Sequence, residues 1–332
     1  MKGRRISINN DIKKKLTVSP YNPSSPILVT YKMYKLTNKF MYIPRYYCEE
    51  GQIITNDIFN CDISINCNPR DYQLNVINDI INEIKENGSC IACLYTGWGK
   101  TFASLYIASV LKVKTLIIVN KESLLKQWTD EIKKFLNIDA GIIQGKNVNT
   151  NSSICLGMIQ SISQKDYDKD IFNEFSFCIF DETHHYCSKV FSEVFFKIGA
   201  MYNLGLTATI KRADKLEYTL NWFLGKIAVN VNLLLLEPTI YIYNFYDYEN
   251  NTIKLLPNGK VSTAASITNI TLNNSRNLFL FEIIKNLYSS NRNILILTDR
   301  KNHCDYINNA LISFDYNSGV YYGGMKNEDL KK

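Results

Sequence analysis

Short runs of β-branched and apolar residues alternate with helix-like stretches from residue 70 onward, and this alternation constrains the fold more than any other feature. Helices are predicted over residues 100–111 and 122–135. The predicted strands are 90–95, 115–119, 153–157, 177–180 and 203–206. Strands that alternate with helices form βα units. We therefore predict an α/β fold, with a parallel sheet that is covered by helices on both faces.

Three segments surround this first α/β domain, which is predicted over residues 69–228. Residues 1–68 are aromatic and carry proline breakers, so an irregular extension is predicted there. These prolines are Pro20, Pro23, Pro26 and Pro44. A connecting segment is predicted over 229–272. Its run at 239–246 alternates Tyr, Ile and Phe, which favours a strand; the alternative is a platform on which bases stack.

A second α/β unit is predicted over residues 273–332. Helices are expected at 276–287 and 300–311, and strands at 293–297 and 319–322. So few elements cannot bury a sheet on both faces. We therefore expect this second unit to be incomplete.

Composition points to an intracellular protein. The net charge of +7 is compatible with binding to phosphate backbones, although many basic proteins bind none. No apolar run reaches the roughly 18 residues that cross a bilayer, and the N-terminus lacks a secretory signal, so no membrane association is expected. The nine cysteines are scattered and form no disulfide framework. Cys90 and Cys93 have CxxC spacing but lie in an apolar run, which predicts buried cysteines and not a metal site.

A glycine-bearing loop leads from the first predicted strand into the first predicted helix. Its predicted binding residues are Thr96, Gly97, Gly99, Lys100 and Thr101. The two glycines allow consecutive N–H groups to point at an anion, and the helix N-terminus adds partial positive charge. The lysine can reach the β- and γ-phosphates of a nucleotide, and the second threonine hydroxyl can bind Mg²⁺. We predict a phosphate-binding loop, although the strict pattern begins with glycine where this chain has Leu94.

Two adjacent carboxylates follow the fourth predicted strand, at the edge where an α/β sheet places ligand chemistry. We predict that Asp181 holds Mg²⁺ through water, and that Glu182 polarises the water that attacks the terminal phosphate. His184 comes two residues later, and Thr207 and Thr209 follow the fifth predicted strand. Short hydroxyl side chains can hydrogen-bond this histidine, so the threonines are predicted to report nucleotide state to a second surface.

Gly-x-Gly-Lys-Thr, Asp-Glu-x-His and Leu-Thr-Ala-Thr, in this order, resemble motifs I, II and III of the superfamily 2 DExH helicases. The run 116–121 and the pair Gln127-Trp128 resemble motif Ia of the same family. The runs 42–47 and 322–326 look most like one subgroup. It comprises the poxvirus transcript-release helicase and its relatives in other large DNA viruses, akin to the DNA-repair helicase of the general transcription factor. The resemblance implies a RecA-like first domain and the start of a second RecA-like domain.

The resemblance also assigns roles to residues outside these motifs. Arg70 and Gln73 match an Arg-x-Tyr-Gln element that the family uses at the adenine. Gln160 and Ser161 match a strand end that contacts the nucleic-acid backbone. Arg300 ends a run that is similar to motif IV, and it too is expected at the nucleic acid.

The resemblance implies an enzyme, a helicase or translocase that uses ATP and Mg²⁺. Its partner is expected to be DNA, with RNA or an RNA–DNA hybrid as alternatives, and it is expected to release transcripts beside the transcription machinery. In a viral setting it would lie in the host cytoplasm or the virion. The rivals are the motor subunit of a restriction endonuclease and a catalytically weak nucleic-acid-binding module. No run after Met325 resembles motifs V and VI, so we expect the second motor domain to be unfinished.

Overall fold

The computed structural model describes residues 2–21, 29–232, 239–247, 253–288 and 293–325. The chain divides into two compact units, Met1–Leu235 and Leu236–Lys332. Pro23, Pro26 and Lys326, which belong to the sequence patterns above, lie outside the described residues. Among the helices of the described residues, none has the length and apolar character needed to cross a membrane.

The N-terminal segment folds into short antiparallel strands beside one helix. The strands are β1 (Gly3–Ser7), β2 (Thr17–Val18), β3 (Tyr31–Lys32), β4 (Lys35–Leu36), β5 (Phe40–Ile43) and β6 (Gln52–Ile54), and the helix is α1 (Asn10–Lys15). One sheet has the order β4-β5-β1-β6, and β2 pairs with β3. The segment is therefore more regular than predicted up to Ile54, while an N-terminal extension over residues 1–68 stays a prediction. These strands are too short to show a clear alternating pattern, and Pro20 and Pro44 lie after strands without interrupting them.

An eight-stranded sheet forms the centre of the first unit. Its strands are β7 (Ser89–Leu94), β8 (Thr115–Val119), β9 (Gly141–Gln144), β10 (Asn147–Val148), β11 (Ile154–Met158), β12 (Phe177–Phe180), β13 (Tyr202–Thr207) and β14 (Ile227–Val231). Their order is β10-β9-β11-β8-β12-β13-β7-β14. Every neighbouring pair is parallel except β10 with β9. The carboxyl ends of β7, β8, β11, β12 and β13 therefore lie along one edge.

Both faces of this sheet are covered. The helices are α2 (Asp71–Asn87), α3 (Lys100–Leu111), α4 (Glu122–Leu136), α5 (Ile159–Gln164), α6 (Val194–Lys197) and α7 (Tyr218–Leu224), with 3-10 helices at Lys169–Phe172, Thr183–Cys187 and Phe191–Glu193. Successive strand residues point to opposite faces. Leu116 and Ile118 of β8 pack with α5, α6, α7 and the N-terminal sheet, whereas Ile117 and Val119 pack with α2, α3 and α4. The predicted RecA-like α/β arrangement, with a parallel sheet between two helical layers, is confirmed.

The described part of the second unit contains three helices joined by extended segments. They are α8 (Thr263–Leu272), α9 (Asn274–Tyr288) and α10 (Lys301–Ser313). The strands predicted at 239–246, 293–297 and 319–322 are not formed. Ile294 and Ile296 pack against the helices while Leu295 and Leu297 are 84% and 85% exposed, so the alternation of a strand is present. A strand also needs a neighbour for its hydrogen bonds, and the described residues of this unit provide none. The start of a second RecA-like domain stays a prediction.

Candidate functional site

The loop between β7 and α3 is shaped by two glycines and one buried tryptophan. Gly97 and Gly99 have φ angles of 89° and 100°, which glycine adopts without strain. Trp98, between them, is 1% exposed and anchors the loop in the core. Lys100 is the first residue of α3, and the residue that caps this helix has no side chain. The first N–H groups of α3 have no partner within the helix and suit an anion.

The side-chain amide of Gln73 ties this loop to α2. Its Nε2 donates to the carbonyl oxygen of Trp98 (2.9 Å), and its Oε1 accepts from the backbone N–H of Arg70 (3.0 Å). A Cβ atom on Gly99 would lie 2.6 Å from this Nε2, so close contact as well as φ requires glycine there. Gln73 thus braces the loop with both ends of its amide. The guanidinium of Arg70 is exposed and donates to the hydroxyl of Tyr72 (3.2 Å).

Asp181 and Glu182 follow β12 at the carboxyl edge of the sheet. Asp181 is 7% exposed, and burial raises the pKa of its carboxyl group, while a hydrogen bond from Trp128 acts in the opposite direction. Glu182 has a φ angle of 48°, a strained value for a residue with a long side chain. Its carboxylate lies 3.7 Å from Nζ of Lys100 and 3.4 Å from Nδ1 of His184. The lysine of the loop and the second carboxylate therefore face each other.

The residues predicted to bind nucleotide and metal all line one cleft of about 600 Å³. They are Arg70, Gln73, Thr96, Gly97, Gly99, Lys100, Thr101, Asp181 and Glu182. A volume of this size is usual for a small-molecule site. The Thr101 hydroxyl and the Asp181 carboxylate are oxygen donors that suit Mg²⁺, and no group of three His, Cys, Asp or Glu among the described residues is arranged to hold a metal ion by itself. Phosphates and water commonly complete a Mg²⁺ shell that has few protein ligands, so this donor set fits a Mg²⁺–nucleotide.

Hydrogen bonds connect the acidic loop to the end of β13. Nδ1 of His184 lies 3.2 Å from Oγ1 of Thr207, whose hydroxyl donates to the carbonyl oxygen of Thr209 (2.6 Å). Burial lowers the pKa of His184, which favours the neutral ring near pH 7. The three residues predicted to couple nucleotide state are thus brought together. Arg212, which no sequence pattern singles out, donates to the backbone carbonyl of His184 and also pairs with Asp214.

The residues predicted at the nucleic acid lie in both units. Gln160 and Ser161 stand just after β11. Nε2 of Gln160 donates to the carbonyl oxygen of Asn120 after β8 (2.8 Å), and Oγ of Ser161 accepts from the N–H of Gly145 after β9 (2.9 Å). These two side chains therefore cross-link three neighbouring strand ends. Arg300 precedes α10 in the second unit, where its guanidinium donates to two oxygens of α8 (2.8 and 3.2 Å).

Apolar and aromatic residues of α3 and α4 complete the cleft and were not selected from the sequence. Phe102 and Phe135 line it edge to face, with ring centroids 5.2 Å apart. Trp128, which belongs to motif Ia and to the apolar spacing of the predicted helix, is 2% exposed and donates from Nε1 to Oδ2 of Asp181 (2.8 Å). Helical periodicity identifies Trp128 and Phe135 as core residues. Helical periodicity does not indicate which of the core residues also contacts a ligand site.

Residues 66–212 match the profile of a family described as "Type III restriction enzyme, res subunit". This segment contains the phosphate loop, the acidic loop and Thr207 with Thr209. Fold and site together define a RecA-like α/β domain of the helicase class, with a cleft that suits a Mg²⁺–nucleotide. The segment 66–212 belongs to the helicase family that this profile represents.

The matched relatives include proteins of large DNA viruses and an archaeal translocase. L396 of Acanthamoeba polyphaga mimivirus, which carries the name of an ATP-dependent RNA helicase, is 31% identical over 345 residues, 97% of this chain and 66% of that protein. The DNA 3'-5' translocase XPB2 of Sulfurisphaera tokodaii is 37% identical over 145 residues, 44% of this chain and 31% of that protein. Protein 161L of Invertebrate iridescent virus 6, named as a helicase, is 27% identical over 237 residues, 70% of this chain and 52% of that protein. This chain thus spans between 31% and 66% of the length of these relatives.

Proposed function

We propose that this protein is an ATP-dependent nucleic-acid translocase or helicase of superfamily 2. The observation that carries the proposal is the meeting of Lys100, Asp181 and Glu182 in one cleft, at a glycine loop before α3. The loop N–H groups and Lys100 bind the phosphates of ATP. Arg70, exposed on the wall of the cleft, contacts the adenine, while Gln73 acts by bracing the loop.

The two carboxylates have different roles in this proposal. The Thr101 hydroxyl and, through water, the Asp181 carboxylate would hold Mg²⁺, which would neutralise charge on the phosphates. Glu182 orients the attacking water and accepts its proton. His184, at 3.4 Å from the carboxylate of Glu182, connects that residue to Thr207, so the state of the nucleotide bears on the end of β13.

Nucleic acid is proposed to lie along the strand ends that Gln160 and Ser161 cross-link, held mostly through its phosphates. The net charge of +7 supports this mode. DNA is the preferred partner, with RNA or an RNA–DNA hybrid second, since the names of the relatives include both a DNA translocase and an RNA helicase. We further propose 3′-to-5′ movement and release of transcripts with the transcription machinery of a large DNA virus, in the host cytoplasm or the virion.

The test is ATP hydrolysis by the longest natural form of the protein, without nucleic acid and with single-stranded DNA, duplex DNA or RNA. We expect one of these to stimulate hydrolysis about tenfold or more, and we expect the affinity for it to fall steeply as salt rises. Unrelated sequences of that nucleic acid should stimulate equally. A rate that no nucleic acid changes would contradict the proposal.

The second candidate function is the motor subunit of a restriction endonuclease. The description of the matched family profile favours it. It predicts that ATP hydrolysis responds only to duplex DNA that contains a particular short sequence. Comparison of duplexes of equal length and scrambled sequence separates this function from a sequence-independent translocase.

A further inference from the structure

Trp128 reaches Asp181 from α4, a helix that packs on the face of the sheet. Its indole Nε1 donates a hydrogen bond of 2.8 Å to Oδ2 of Asp181. Trp128 is 2% exposed and Asp181 is 7% exposed, so the bond is shielded from water. Hydrogen bonds to an ionised acceptor are roughly twice as strong as neutral ones. This contact is therefore one of the firmest restraints on the Asp181 side chain.

The other carboxylate oxygen is restrained as well. Oδ1 of Asp181 accepts from the backbone N–H of Glu182 (3.0 Å). The backbone N–H of Asp181 in turn donates to the carbonyl oxygen of Ile118 in β8 (3.0 Å). With one N–H on each oxygen, the plane of the carboxylate is fixed. Each oxygen still has a lone pair available for a cation or a metal-bound water.

An indole suits this position because its nitrogen cannot accept a hydrogen bond or bind a cation. Its N–H donates and never accepts, so Trp128 stabilises a carboxylate acceptor in one orientation and offers no competing ligand atom. A phenylalanine would fill most of the same space but would leave Oδ2 of Asp181 buried with this bond lost. The ring of Trp128 packs in the core, and its nitrogen donates to a carboxylate that lines the cleft.

We propose that Trp128 is a positioning residue for Asp181, which it orients so that the free lone pairs of the carboxylate meet the shell of a bound Mg²⁺–nucleotide. This inference rests on the proposed ATPase function. α4 begins two residues after Asn120, whose carbonyl oxygen accepts from Gln160. One helix therefore joins the metal-holding carboxylate to a strand end proposed for nucleic acid.

Trp128→Phe tests the proposal in the longest natural form of the protein, with Trp222→Phe as the matched control. Trp222 packs against Tyr47 and Tyr218 (ring centroids 5.2 and 5.1 Å apart) and does not line the cleft. We expect Trp128→Phe to raise the Mg²⁺ concentration for half-maximal hydrolysis about tenfold, with most of the rate recovered at saturating Mg²⁺. The control should keep the wild-type value. An unchanged Mg²⁺ requirement in a folded Trp128→Phe variant would overturn the proposal.

A second measurement needs neither ATP nor the Trp128 variant. The chain has three tryptophans, so its indole N–H resonances can be assigned by Trp98→Phe and Trp222→Phe. Asp181→Asn replaces a charged acceptor by a weaker neutral one, and we expect the Trp128 resonance to move while that of Trp222 stays. An unmoved Trp128 resonance would overturn the proposed contact. If the wild type hydrolyses no ATP, the proposed function is wrong. The response of the Trp128 resonance to Asp181→Asn still tests whether Trp128 hydrogen-bonds to Asp181.

Discussion

Nδ1 of His184 lies 3.2 Å from the hydroxyl oxygen of Thr207, so a ring of the acidic loop and the end of β13 share one hydrogen bond. Because the Thr207 hydroxyl donates to the Thr209 carbonyl, the histidine Nδ1 must carry the proton. The same Nδ1 is 3.4 Å from the carboxylate of Glu182. We therefore expect a displacement of the end of β13 to change the position of His184 beside Glu182.

Thr207→Val removes the hydroxyl of this link and keeps the shape of the side chain. We expect the ratio of nucleic-acid-stimulated to basal ATP hydrolysis to fall about fivefold or more, which is the lower end of typical coupling between sites. Thr207→Ser retains the hydroxyl and should keep most of the stimulation. The measurement is steady-state hydrolysis with and without nucleic acid. A Val variant that is stimulated like the wild type would rule out Thr207 as a coupling residue.

Glu182→Gln should abolish turnover while leaving ATP binding in place. The amide cannot accept a proton from the attacking water, and loss of a general base typically lowers the rate by about a hundredfold or more. Lys100→Ala should behave differently, because it removes a phosphate contact and weakens nucleotide binding itself. Hydrolysis rates and equilibrium binding of ATP by both variants distinguish the two effects. Near-normal turnover by Glu182→Gln would show that Glu182 is not the general base.

Gly99→Ala and Gly97→Ala form a matched pair in the phosphate loop. Both positions have positive φ, but an added Cβ meets Nε2 of Gln73 at 2.6 Å only at Gly99 and finds open space at Gly97. We expect Gly99→Ala to lower nucleotide affinity about tenfold or more, because the backbone is strained and the Gln73 side chain is displaced at the same time. The loss for Gly97→Ala should be smaller. Equal affinities of the two variants would show that the Gln73 brace is unimportant.

We expect His303 to make the stability of the second unit dependent on pH. It is 6% exposed, its Nδ1 is 2.8 Å from Oγ1 of Thr298, and its Nε2 is 3.1 Å from Oδ1 of Asn277. Burial lowers the pKa of His303 in the folded state, so the unfolded chain binds a proton first as pH falls below about 6.5. The stability due to the neutral ring is complete above that pH and is lost toward the lower folded pKa.

We therefore expect hydrogen exchange in α9 and α10 to accelerate as pH falls below about 6.5, after correction for the intrinsic rates. Because Oδ1 of Asn277 can only accept, Nε2 of the neutral ring donates to it and Nδ1 accepts from the Thr298 hydroxyl. Protonation of Nδ1 breaks the bond from Thr298 and destabilises the fold. His303→Gln should show less of this dependence, since an amide does not titrate in this range. The same acceleration in wild type and variant would assign it to other groups.

Much of the first unit was predictable because its strands are buried on both faces. The predicted strands 115–119 and 177–180 match β8 and β12, and the predicted helix 100–111 matches α3. In such strands nearly every residue is apolar, with Thr115 of β8 as an exception, so the run stands out from its surroundings. No strand was predicted at β9, β10 or β14, which lie toward the sheet edges, where the contrast between apolar strand and polar surroundings is weaker.

The members of the site were predictable, but their contacts were not. Spacing placed Lys100, Asp181 and Glu182 at ends of parallel strands, and they do share one cleft. Spacing could not predict that both the oxygen and the nitrogen of the Gln73 amide make hydrogen bonds to the backbone of this chain. Nor could it tell that Trp128 turns its nitrogen toward Asp181, because both facts depend on side-chain directions set by packing across the sheet.

Glu182 occupies a backbone conformation, φ of 48°, that asparagine tolerates better than glutamate does. Glu182→Asn should relieve about 1 kcal/mol of strain and raise the melting temperature by about 2 °C, although it deletes the contacts to Lys100 and His184. The same change replaces the carboxylate by an amide on a shorter side chain, so ATP hydrolysis should be lost. A melting temperature below that of the wild type would contradict this expectation. Under the proposed function, selection for thermal stability alone would favour asparagine at this position, and the need for a general base would retain glutamate.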